Sequence, residues 1–110
     1  MPGQQTDKQP FLIKENSSVA RIAAWKLGSN SVAIVFGKTI YLHHISVKDF
    51  LGNERLLKHE LCHVRQYQQH GFTGFLLRYL WESLRKGYYN NKFEVEARQA
   101  ENESFPYIAQ

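Results

Sequence analysis

Cysteine is nearly absent. Cys62 is the only one in 110 residues, so no intrachain disulfide can form, and a cytoplasmic setting is the expectation. No apolar run approaches the length of about 20 residues that a membrane-spanning helix needs. The polar opening MPGQQTDKQP lacks the apolar stretch of a secretory signal. No run of Lys and Arg exceeds the pair Arg85-Lys86 and the net charge is only +4, so a nucleic-acid partner is not expected. Internal repeats and low-complexity tracts are missing too.

The chain has ordinary globular composition, 43% hydrophobic and 22% charged, and its length allows one domain with one core. Residues 1–10 read as a flexible leader, leaving 11–110 as the domain. Phe11-Leu12-Ile13 is short and apolar enough to dock as a strand. Val19, Ile22, Ala23 and Leu27 follow helical spacing between the caps at Asn16–Ser18 and the stop at Gly28, which predicts a helix over 18–27 with a strand as the alternative. SVAIVF (31–36) and TIYLHHI (39–45) flank Gly37-Lys38, the pattern of a tight hairpin in which His43 and His44 point to opposite faces. SVKDFL (46–51) reads as a short capped helical turn. The fold class expected is α+β, a small sheet with about four helices.

From Asn53 the period becomes helical. Leu57, Leu61 and Val64 form a stripe to about Tyr67, with a stop near His70-Gly71. A further helix is predicted over 73–86. Phe72, Phe75, Leu76, Tyr79 and Leu80 share a face that Leu77, Trp81 and Leu84 widen. So wide an arc is read as burial in a small domain, with Trp25 and Trp81 in the core and no membrane contact expected. A last helix is predicted over about 92–103. The tail from Ser104 to Gln110 is a candidate to lie against the active-site side.

Chemistry concentrates in His59-Glu60-Leu61-Cys62-His63, an H-E-x-x-H pattern. On a helix, residues i and i+4 differ by about 40° around the axis, so both imidazoles leave one face about 6 Å apart. Two nitrogens so placed can share one Zn²⁺ at about 2.0–2.1 Å. Glu60 lies beside them as a proton acceptor for a water at the metal. The apolar stripe occupies the opposite side of the same helix, so one face can enter the core while the other meets the metal. Cys62 is turned away from the histidines and is expected to pack.

Two histidines need a third ligand. His70 lies about 10 Å further along the helix axis and is read as a helix C-terminal cation. The alternative that uses a third His needs a Gly at the position of Gln66. Glu94 and Glu96, on the last predicted helix, are better placed, and angular geometry alone does not decide between them. Tyr67, Tyr88 and Tyr89 are candidates to donate a hydrogen bond to an oxyanion or to substrate.

HELCH followed by F-E-V-E-A resembles the gluzincins, zinc metallopeptidases that place H-E-x-x-H on one helix and a Glu ligand on a later one. The likeness is to the branch whose second motif is E-x-x-A-D, which includes the small minigluzincins. It covers about 40–94 in outline and is sharp at 59–63 and 93–97. It implies a minimal zincin-like fold, His59, His63 and Glu94 as zinc ligands, and Glu60 as general base. Ala97 becomes the small residue that permits close packing. The strand around Thr39 to Ile45 becomes the rim that pairs with an extended peptide or protein substrate. The chain departs from the pattern at Arg98, where the family often has an Asp that supports a ligating His. Glu101 and Asp49 are the candidate replacements. Because of that departure, a non-catalytic zinc-binding interaction domain is the alternative function.

Overall fold

The computed structural model describes residues 11–15, 17, 18, 20, 21 and 32–103, and these form an α+β fold. The three-stranded sheet contains β1 (Leu12–Lys14), β2 (Val32–Phe36) and β3 (Thr39–His43), in the order β1-β3-β2. β2 and β3 form the expected hairpin, with Phe36 opposite Thr39 and a two-residue turn between them. Gly37 enters that turn at φ 67°, a left-handed value that favours glycine. β1 adds in parallel on the other side of β3, with Ile13 opposite Ile40.

The central position of β3 corrects the expectation that Thr39 to Ile45 forms the substrate rim. Both sides of β3 are already hydrogen-bonded, so among the described residues the edge strands are β1 and β2. β3 also stops at His43, because His44 takes φ 60° and breaks the extended path. The two histidine rings then stack at 4.0 Å and 18° and do not point to opposite faces.

Of the helix predicted over 18–27, Ser18, Ala20 and Arg21 are helical; its remainder lies outside the described residues, as do the leader, Trp25 and the tail. The Ser17 hydroxyl accepts from the Ala20 N–H at 3.3 Å. Helix α1 (Val47–Gly52) starts at Ser46, whose hydroxyl accepts from the Asp49 N–H. Asn53 closes α1 with its N–H and opens α2 (Glu54–His70) with its side chain, which accepts from the Leu56 N–H. Gly71, at φ 79°, ends α2 through an N–H donated to the Tyr67 carbonyl and leads directly into α3 (Phe72–Lys86). Helix α4 (Lys92–Ala100) is shorter than expected. Residues 101–103 continue it as a turn with i→i−3 hydrogen bonds, the tightening common at helix ends.

Ile40 and Leu42 point inward from β3 and are fully buried; with Val35 they meet Phe50, Leu61, Val64, Tyr67, Phe75 and Phe93 in one core. Cys62 packs with Ala97 and Ala100, where the small side chains let α2 and α4 approach closely. Every residue from Glu60 to Val64 is buried, so α2 is the central helix of the domain, covered on both sides. Helix α3 differs from expectation. Trp81, Leu77, Leu80 and Leu84 are more than half exposed, and Trp81 is no core residue. Among the described residues no helix is long and apolar enough to cross a membrane.

Candidate metal centre

Packing of Leu61 and Val64 into the core turns the other side of α2 toward α4. His59 and His63 therefore face Glu94, in the first turn of α4. The start of α4 is fixed by Asn91, which is fully buried. Its carbonyl oxygen accepts from the Phe93 N–H at 2.8 Å, and its amide donates to the Tyr79 carbonyl and the Ser83 hydroxyl. One side chain thus holds α4 to α3 and sets the height at which Glu94 meets the histidines.

His59 Nε2 lies 3.0 Å from Glu94 Oε1, and His63 Nε2 lies 3.2 Å from Glu94 Oε2. One ligand atom from each of the three residues falls within 4.8 Å of the others. Donors about 2.0–2.1 Å from a tetrahedral ion stand about 3.3–3.4 Å apart, close to the separations seen here. Two imidazoles and a carboxylate form a donor set suited to zinc. Glu94 thus comes to the histidines, whereas Glu96 accepts from Gln66 at 2.7 Å and lies further out. His70 is exposed at the end of α2 against the rings of Phe75 and Phe93.

Each histidine has a partner on its other nitrogen. His59 Nδ1 is 2.8 Å from Glu101 Oε2, and Arg55 holds the other oxygen of Glu101 at 2.9 Å. His63 Nδ1 is 2.9 Å from Gln66 Oε1. The Gln66 amide nitrogen faces the Phe93 carbonyl and Glu96, both acceptors, which directs its oxygen to His63. Both rings can therefore donate through Nδ1 and keep Nε2 free for a ligand bond. Of the two candidate replacements for an Asp at Arg98, Glu101 reaches a histidine, and Asp49 is elsewhere, in α1. Arg98 itself donates to the Tyr89 carbonyl and lies 4.0 Å from the Tyr89 ring centre.

Charge is concentrated here. Burial alone would raise Glu94, but hydrogen bonds from both histidines and from the Tyr79 hydroxyl outweigh it and hold its carboxyl well below the usual range. Burial likewise opposes protonation of His59, yet Glu94, Glu60 and Glu101 lift it to about 9. His63 is raised against the same burial cost, chiefly by Glu94. For Glu60 burial dominates, and the opposing pull of His63 and His59 leaves it pushed up to about 7.

A cleft of about 230 Å³ opens over these groups. Its walls include Ala33 to Phe36 of β2, Leu76 and Leu80 of α3, and Tyr88; His59, Glu60, His63 and Glu94 also line it. Of the predicted tyrosines, Tyr67 reaches the cleft but is buried, stacked on Phe72, with its hydroxyl pushed up to about 12 by burial. Tyr88 stands half-exposed in the cleft wall. Tyr89 is not part of the cleft lining, and its ring packs under Arg98. Two tyrosines reach the donor set through Glu94: the predicted Tyr88, by a side-chain hydrogen bond, and Tyr79, which helical spacing alone assigned to the apolar face of α3. The place of Tyr79 opposite Glu94 depends on the turn at Asn91, which carries no sequence signal for that contact.

Comparison with protein-family models, curated proteins and solved structures returned no match.

Proposed function

We propose that this chain is a zinc-dependent metallopeptidase of the gluzincin type, working in the cytoplasm on extended segments of peptide or protein. The observation that carries the reading is the convergence of His59, His63 and Glu94 at a cleft that Glu60 also lines. His59 Nε2, His63 Nε2 and Glu94 would hold the ion. Zinc, when bound, supplies a Lewis acid that polarises a carbonyl and makes water acidic near neutral pH.

Glu60 then does the proton work. Its carboxylate takes a proton from the attacking water and returns it to the leaving nitrogen. Burial favours the protonated form of this carboxyl, which helps it hold the proton it must later donate. Glu101 and Gln66 hold the two imidazoles in orientation. Substrate backbone has a natural place along β2. It is an edge strand whose residues 33–36 line the cleft, and among the described residues only β3 pairs with it. The buried, unpaired Cys62 supports a reducing compartment.

Glu60→Gln tests the reading against the zinc-binding interaction domain. The variant is expected to keep one zinc per chain, by elemental analysis, and to lose hydrolysis of an unstructured protein substrate. Wild type that binds zinc but never cleaves favours the interaction domain, and a chain that takes up no zinc defeats both.

A further inference from the structure

Leu77, Leu80, Trp81 and Leu84 are 62%, 55%, 59% and 80% exposed. Their spacing of i, i+3, i+4 and i+7 makes them one continuous stripe on the outward side of α3. Nothing in the fold requires apolar side chains there, and a contiguous exposed apolar patch marks a contact surface. Arg78 and Arg85, seven residues apart, run alongside the stripe, and Lys86 stands at its end. The one acid of α3, Glu82, points inward. It is buried, accepts from the Lys92 N–H at 3.2 Å, and has Lys86 Nζ at 3.6 Å and Arg85 Nη1 at 3.9 Å, which leaves Arg85 half-exposed. The outward surface of α3 is therefore apolar and cationic, with no acidic side chain.

We propose that this face of α3 seats the domain on an anionic membrane surface. A helix that presents Trp and Leu on one side with Arg and Lys beside them lies in the plane of the headgroups, its apolar side chains among the acyl chains and its guanidinium groups at the phosphates. At 15 residues α3 is too short to span, so contact is peripheral. A second copy of the chain is a poorer occupant. The stripe runs only about 10 Å along the axis, and a stable protein pair buries about 800 Å² on each partner. A lipid surface needs no complementary shape and takes up a narrow stripe. The chain's net charge of +4 acts in the same direction. Leu80 also belongs to the cleft wall, so the docked face adjoins the cleft.

Vesicles of phosphatidylcholine, with and without phosphatidylglycerol, test this by co-sedimentation of the full chain. A Trp25→Phe version makes Trp81 the sole tryptophan and reports its surroundings by emission. The free monomer is expected to show water-exposed emission that shifts to the blue only with anionic vesicles and reverts in high salt. Leu84→Ser and Leu77→Ser should each weaken partition about ten-fold, and Arg78→Gln and Arg85→Gln about five-fold each. Absence of sedimentation with anionic vesicles overturns the proposal, as does equal binding to neutral ones. A blue-shifted monomer without vesicles would show that a segment of this chain outside the described residues covers the stripe. A shift that grows with protein concentration would assign it to a second copy. Either outcome also overturns the proposal.

Discussion

Glu94 gathers His59 on Oε1 and His63 and Tyr79 on Oε2, and Tyr88 hydrogen-bonds the same carboxylate. Its neighbour two positions on, Glu96, reaches the site only through Gln66. Zinc affinity should therefore fall furthest in Glu94→Ala and change little in Glu96→Ala or His70→Ala, as measured by competition with a chelating indicator. A larger loss in either of the last two would refute the assignment of Glu94. Glu101→Ala removes the acceptor that orients His59 and is expected to lower zinc affinity about ten- to hundred-fold. The same change at Asp49, in α1, should leave affinity unaltered. A residue that orients a ligand is thus separable from one that is merely acidic.

At the scale of elements, two asparagine caps do unequal work. Asn53 caps α2 at the surface, whereas Asn91 caps α4 while fully buried and tied to α3. Asn53→Ala should cost about 1 kcal/mol, the loss of one exposed cap. Asn91→Ala should cost about 2–3 kcal/mol, because a buried cap is lost and partners are left unpaired. Urea denaturation of the metal-free protein compares them, and equal costs would show that the buried bonds of Asn91 add nothing. Zinc affinity should fall in the second variant only, since Asn91 sets the position of Glu94. The limits of α1 and α2 were legible because Ser46, Asn53 and Gly71 are local start and stop signals acting within one turn. The histidine face of α2 was legible because i, i+4 geometry needs no tertiary information. The central place of β3 was not, since strand order depends on where β1 docks and the hairpin pattern is the same either way. The exposure of Trp81 and Leu84 was hidden for a similar reason. An apolar arc has one sequence pattern whether a neighbour covers it or not. Gln66, Tyr79 and Asn91 carry their roles through long-range contacts that local spacing does not encode.

Over the whole molecule, the same buried charges link stability, protons and metal. In the metal-free protein His59 is raised from 6.5 to about 9. Its contribution is then fully present below about pH 6.5 and lost as pH rises through 9. Glu60, raised from 4.5 to about 7, acts in the same sense, and its part is lost as pH climbs from 4.5 through 7. Glu94 and Glu101 are lowered, so their contributions are present above about pH 4.5 and lost on acidification below it. The metal-free domain should therefore be most stable near pH 5–6 and weaken steadily toward pH 9, with His59 alone contributing on the order of 3 kcal/mol to that decline. Zinc competes for the same nitrogens, so binding at pH 7 must release the proton of His59, and apparent affinity should rise with pH up to about 9. Zinc should accordingly flatten or reverse the decline, because metal stabilises most where protons have left. Chemical denaturation at pH 5.5, 7.5 and 9, with chelator or with excess zinc, reads both halves. A metal-free domain that gains stability between pH 6.5 and 9 would contradict the placement of His59 among three carboxylates. Proton release that is absent from calorimetry in buffers of different ionisation enthalpy would show that zinc binds away from His59.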